Sequence, residues 1–209
     1  MAKLYYHPMS QNARKVRMAA HLIGFAIEEM EIVDLMQGGN QAPSYLALNP
    51  NGMVPTFVDG DFVLSESNAI CQYVCEAKGD EKLWPSDARS RAKVAQWMFW
   101  ETAHWFPTLF VFFRENMLRK MMGAGPPDEG MLAQGRDQMA RFGGVLDAAL
   151  AKQRFLVGEH ATLADIAVGS HLMHAQAAAV PLQSYPNVVQ WFGRISALEA
   201  WEVTTPKLP

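Results

Sequence analysis

The sequence is poor in cysteine. Cys71 and Cys75 are the only two in 209 residues, too few for a disulfide framework. It is also poor in net charge: a formal balance of -3 leaves no electrostatic footprint for nucleic acid. No uncharged apolar run approaches the roughly 18 residues of a membrane-spanning helix. The first ten residues, MAKLYYHPMS, lack the apolar core of a secretory signal. There is no internal repeat and no low-complexity tract. These absences set the expectation of a cytoplasmic protein in a reducing compartment, with no nucleic-acid partner and no membrane partner. What is present is a globular composition, 50% hydrophobic and 19% charged. The length suffices for one large domain or two small ones.

The first 79 residues mix strands with helices. Lys3 to Tyr6 reads as a short strand stopped by His7-Pro8. Ser10, a good N-cap, opens a helix to about Leu22, with Ala13, Val16, Ala20 and Ile23 on one face and Gly24 as its stop. Phe25 to Val33 reads as a second strand. Pro43 suits the first turn of a short helix to Leu48. TFV and FVL, separated by Asp59-Gly60-Asp61, carry a strong hairpin signal. A helix from about Glu66 to Lys78 ends at Gly79. The order is β-α-β-α-β-β-α, and a parallel pair followed by an antiparallel hairpin predicts a thioredoxin-like sheet.

Strand signals stop at Glu81. Trp84-Pro85-Ser86 reads as a linker, and the remainder as an all-α helical bundle. One long helix is expected from Asp87 to about Met122, bent near Pro107. Further helices are expected from Glu129 to Gln153, from Thr162 and from about Pro186. The expected fold is α+β with two domains: 1–79 thioredoxin-like, 80–86 linker, 87–209 helical. Thr162 and Asp165 form a capping box, a folding device rather than chemistry. His171 and His174 stand three apart with no third ligand nearby, so no metal is expected. Cys71 and Cys75 share a helix face and read as buried packing.

Three stretches carry a resemblance: NPNGMVPTFVDGDFVLSESNAI (Asn49 to Ile70), FLVGEHATLADIAV (Phe155 to Val168) and LYYHPMSQNARKV (Leu4 to Val16). In that order, with that domain split, the whole chain resembles the cytosolic glutathione transferases. Within them it is similar to the bacterial and theta-like subgroup that uses a serine near the first helix. The resemblance implies a homodimer that takes glutathione as co-substrate and a small electrophile as acceptor.

It also implies roles. Val54-Pro55 would be a cis peptide that presents the Val54 backbone to the cysteinyl residue of glutathione. Without the family, Pro55 reads as a trans proline opening an edge strand. Glu66 and Ser67, at a helix start, would take the γ-glutamyl amine and carboxylate. Asn40 and Met53 would flank the glycyl end, Met53 through its backbone alone. Ser10 would donate to the thiol and favour the thiolate, with Tyr5, Tyr6 and Asn12 as rivals; a plain cap is the other reading of Ser10. The aromatic stretch Gln96 to Phe113 has two readings of its own: core plus an interdomain seam, or a wall of the acceptor pocket in which His104, Trp105, Thr108 and Phe112 join Met9. The resemblance makes Glu101 or His104 a candidate to reach across a dimer axis. The same site would serve peroxide reduction or dehalogenation, and the fold is also reused as a non-catalytic protein-binding module.

Overall fold

The computed structural model describes residues 1–206. It divides into two compact units, one of residues 1–85 with 198–206 and one of residues 86–197. In the first unit, β1 (Ala2–Tyr6), α1 (Gln11–Ile23), β2 (Glu29–Ile32), α2 (Pro43–Leu46), β3 (Thr56–Asp59), β4 (Phe62–Ser65) and α3 (Ser67–Lys78) follow in order. The four strands form one sheet in the order β2-β1-β3-β4. β1 pairs parallel with β2 and antiparallel with β3, and β3 pairs antiparallel with β4. This is the thioredoxin-like arrangement expected from the strand and helix order.

Strand alternation decides what each face buries. Leu4 and its cross-strand partner Phe57 have no exposed surface. Ala13, Val16, Ala19 and Ala20 of α1 and Ile70, Cys71, Val74 and Cys75 of α3 are equally buried, and the two helices pack on each other. Burial pushes the Cys75 thiol far above the ordinary thiol range, with Cys71 adding to the effect. Both cysteines are buried and serve as packing.

The second strand is shorter than the expected 25–33. The Phe25 amide donates to Ala20 O at 2.9 Å and closes α1 beside Gly24, whose φ of 64° needs no Cβ. That amide is therefore spent before the sheet begins. Leu83 and Trp84 are buried, and Trp84 Nε1 donates to Glu76 Oε1 at 2.8 Å, so this part of the expected linker is packed into the first unit.

The second unit contains α4 (Ala88–Trp100), α5 (Phe106–Phe113), α6 (Arg119–Met121), α7 (Glu129–Leu150), α8 (Leu163–Ser170) and α9 (Pro186–Ser196). Between α4 and α5, Glu101–Trp105 forms a π turn, and Arg114–Leu118 forms another between α5 and α6. The expected bend at Pro107 is thus replaced by a ladder that widens one turn earlier: the Phe106 amide donates to Glu101 O, five residues back. Every residue of α8 is buried, which makes it the central helix of this unit.

α10 (Glu199–Thr204) was not expected and belongs to the first unit, not to the helical domain expected over 87–209. Arg14 of α1 explains this. It donates to Trp201 O at 2.6 Å, Thr204 Oγ1 at 3.2 Å and Thr205 Oγ1 at 2.8 Å, with its guanidinium 3.7 Å from the Trp201 ring centroid. Arg17 donates to Thr204 O. Two arginines therefore complement the C-terminal end of α10. Burial lowers Arg14 to about 10, and Arg17 beside it adds to the fall; the group stays charged at neutral pH.

Candidate functional site

The sheet register assembles the site. Tyr5 pairs with Thr56, and Thr56 pairs with Ser65. Three segments therefore leave the sheet at one end: the turn after Tyr6, the prolyl turn before Thr56, and the step from Ser65 into α3.

In the first segment, Ser10 N–H donates to His7 O at 2.9 Å, and Met9 N–H donates to His7 Nδ1 at 3.2 Å. Ser10 caps α1, its Oγ accepting from Ala13 N–H at 3.2 Å. A cap uses a lone pair of the hydroxyl and leaves its proton to donate elsewhere. Capping and activation of a thiol are therefore compatible in one residue. Burial lowers the His7 pKa below the ordinary imidazole value, against an opposing pull from Asp34. This agrees with Nδ1 acting as an acceptor.

In the second segment, the Val54–Pro55 peptide is cis. The backbone just before it is buttressed. Met53 O accepts from Tyr45 OH at 2.6 Å and Asn49 Nδ2 at 2.9 Å, and the buried Thr56 Oγ1 contacts both Tyr45 OH and Asn49 Nδ2. Asn40 Nδ2 donates to Gly52 O at 2.8 Å. Gly52 has φ +61°, and a Cβ there would lie 2.8 Å from Gln41 Nε2 and 3.1 Å from Asn40 O. The turn therefore requires glycine. The Met53 side chain is exposed.

In the third segment, Glu66 is the N-cap of α3, with φ 69° and no side-chain cap bond. A non-glycine residue in this region is costly, and such residues cluster at ligand sites. Ser67 is buried and its Oγ donates to Asn12 Oδ1 at 3.3 Å, which ties the Ser10 turn to the start of α3. Lys15, 1% exposed, donates from Nζ to Ser67 Oγ at 3.2 Å and to Asn68 Oδ1 at 2.9 Å. Sequence reading missed Lys15. The available signal was its place on the helical arc shared by Met18 and Ala19, both fully buried.

The tyrosines divide between faces. Tyr5 stands edge-on to Tyr45 at 5.9 Å and lines a cavity of about 290 Å³ with Glu31, Asp34 and Tyr45. Tyr6 lies beneath the Arg17 guanidinium at 5.3 Å.

In the helical unit, two expected acceptor residues are interior. Trp105 is fully buried, donates from Nε1 to Val168 O at 3.2 Å and stacks on Trp100; Phe112 is 3% exposed. Both are buried, so neither walls an open pocket. His104 stacks on Phe142 at 4.7 Å, and with Thr108, Asp137, Gln138 and Arg141 it lines a cavity of about 430 Å³. Met9 belongs to the other unit. Glu101 is buried with Oε1 2.5 Å from His171 Nε2, and the same burial keeps it from reaching a second chain. His174 stacks on Phe113. Among the described residues, no group of three or more metal-ligating side chains forms, and no helix is long and apolar enough to cross a membrane.

A thioredoxin-like sheet that ends in a cis-prolyl turn, beside the start of a helix and followed by a helical unit, defines a two-domain thioredoxin-like fold. The chain matches the N-terminal domain of glutathione S-transferases over residues 4–82 and their C-terminal domain over residues 103–199. It is 34% identical over 199 residues to a probable glutathione S-transferase GSTF2 of Oryza sativa subsp. japonica, covering 93% of this chain and 91% of the relative. It is 34% identical over 214 residues to glutathione S-transferase 3 of Zea mays, covering 99% and 94%. A solved structure of glutathione S-transferase I bound with the ligand lactoylglutathione superposes with a TM-score of 0.88 at 26% identity, covering 98% of each chain. This chain belongs to the glutathione S-transferase family, and glutathione conjugation is the activity that membership carries.

Proposed function

We propose that this protein activates the thiol of glutathione through Ser10 and transfers the thiolate to a small, mostly apolar electrophile. The observation that carries the reading is the convergence of the Ser10 turn, the cis Val54–Pro55 peptide and the Glu66–Ser67 helix start at one end of the sheet. Val54 would pair with the cysteinyl backbone, and Glu66 would take the γ-glutamyl amine. The γ-glutamyl carboxylate would meet the start of α3, where the helix dipole favours an anion. Asn40 would serve the glycyl end indirectly, because its amide already shapes the loop at Gly52. The Ser10 hydroxyl is the preferred donor because its cap bond leaves the proton available. Asn12 is engaged with Ser67, Tyr5 lies on the α2 face and Tyr6 lies under Arg17.

Met9, His104 and Thr108 stay as the acceptor-side residues of this proposal. The two plant relatives carry no bacterial or theta label, so the subgroup is read only as serine-type. A homodimer and a cytoplasmic setting belong to the same reading. Phe99, 73% exposed on α4, is an apolar side chain that a second copy would cover.

The test is retention on immobilised glutathione, followed by turnover of a chloronitroaromatic acceptor. Retention with turnover is expected. Neither retention nor turnover contradicts the reading, and retention without turnover of any electrophile moves it to a binding module.

A further inference from the structure

We propose that His7 is a positioning residue for Ser10, closing with its ring and its carbonyl the turn that presents the Ser10 hydroxyl to the thiol of glutathione. The inference rests on the Ser10 reading above and adds a residue to it. Pro8, Met9 and Ser10 separate His7 from the first residue of α1. Pro8 has no N–H to give. The other two amides both donate to His7: Ser10 N–H to its carbonyl at 2.9 Å, and Met9 N–H to its Nδ1 at 3.2 Å. A proline second in the turn suits that arrangement, because its ring fixes φ near the value required. The side-chain bond is the histidine counterpart of the turn that an asparagine closes onto the amide two residues on.

The direction of that bond sets the state of the ring. A backbone amide can only donate, so Nδ1 is the nitrogen without a proton and the ring is neutral. Burial holds the ring below its ordinary pKa, against the pull of the Asp34 carboxylate beyond β2. Asp34 Oδ1 itself accepts from the Met36 and Gln37 amides at 3.0 and 3.1 Å. Ser10 leaves the turn at φ -80° and ψ 115°, with its Oγ on Ala13 N–H. Its backbone is thus held by His7 on one side and by α1 on the other. A reacting group misplaced by a fraction of an ångström loses much of its effect. Loss of the Met9 bond loosens the His7 side alone and lets the hydroxyl drift from the thiol.

The other reading is a turn that only joins β1 to α1. Two substitutions separate them. His7→Phe keeps a ring and removes the acceptor. His7→Asn keeps an acceptor for the Met9 amide and cannot titrate. The experiment measures the pKa of the bound thiol by ultraviolet absorbance, and glutathione affinity by calorimetry, in wild type and both variants. His7→Phe should raise the thiol pKa by about one unit, which slows turnover about 10-fold at a pH below both values. His7→Asn should keep it within about a third of a unit, or about twofold in turnover. Affinity for glutathione should change less than about threefold in both, because the Val54 and Glu66 contacts remain. If both variants raise the thiol pKa equally, or neither does, the positioning role is overturned and the Ser10 reading stands. A loss of affinity in His7→Phe with the thiol pKa in place overturns it as well, since the turn then serves only the fold. A wild type whose bound thiol ionises no more readily than free glutathione overturns the Ser10 reading, and the role with it. If His7→Phe does not fold, His7→Ala takes its place, with the same results expected and the same results overturning the role.

Discussion

Two helix starts in this molecule solve one physical problem in opposite ways. The first turn of any α-helix has backbone amides with no partner inside the helix. At α8 the chain caps that end from both directions. Thr162 and Asp165 form a capping box, and Asp165 accepts from Thr162 N–H, Thr162 Oγ1, Leu156 N–H and Trp191 Nε1, all within 3.1 Å. At α3 the N-cap is Glu66, exposed, at φ 69° and without a side-chain cap bond. Local rules are satisfied where only the fold is at stake and broken where a ligand is expected. Ser10 at α1 stands between these extremes: it caps its helix and keeps a proton.

The largest effect should come from breaking the closed start. Asp165→Ala leaves several buried donors unpaired and should destabilise the protein by about 3–5 kcal/mol in chemical denaturation. The glutathione KM of the fraction that stays folded should not change. Next, Ser10→Gly puts a residue tolerated at the cap in its place but leaves no side-chain donor for the thiol. Its stability should change by less than about 1 kcal/mol, while turnover near neutral pH falls about 10- to 100-fold as the bound thiol becomes harder to ionise.

The third change sharpens the contrast by improving the fold at the cost of the site. Glu66→Gly relieves a positive φ and should stabilise the protein by about 1 kcal/mol in thermal unfolding. Glutathione should bind more weakly because the partner for its γ-glutamyl amine is gone. If the variant gains stability and keeps full affinity, the open start of α3 has no ligand role.

The smallest effect concerns the turn that holds Ser10. Burial holds His7 below the ordinary imidazole pKa, so the folded protein binds its proton less readily than the unfolded chain. The stability this gives is present above the ordinary value of about 6.5 and is lost as pH falls through the lower folded value. NMR titration of the His7 ring should show a midpoint below the ordinary imidazole value, with protonation at lower pH disturbing the Met9 amide that donates to it. A ring that titrates at or above its ordinary value contradicts this account of the turn.

Local chemistry made much of the first unit legible. The Ser10 cap, the Gly24 stop and the hairpin at Asp59-Gly60 each depend on a few neighbouring residues, and the strand and helix order follows from them. The features that escaped depend on contacts far apart in sequence. Arg14 and Lys15 read as ordinary polar positions of α1 until α10 and α3 cover them. Trp105 and Phe112 stay open between core and pocket wall in the sequence, because no local pattern shows that the ladder at Glu101–Trp105 is a π turn. Pro107 signalled a disturbance there without stating its kind. Glu66 and Ser67 were recognised through resemblance, and no local rule assigns a positive φ to a glutamate.

The central claim is that the Ser10 hydroxyl both caps α1 and donates to the thiol of bound glutathione. The most direct measurement is the pKa of that thiol, from the ultraviolet absorbance of the bound thiolate against pH, in wild type and Ser10→Gly. The account predicts that the thiol in wild type ionises well below the free value of about 8.5 and that the substitution raises it by about 1–2 units. An unchanged thiol pKa in a folded, glutathione-binding Ser10→Gly protein would contradict it.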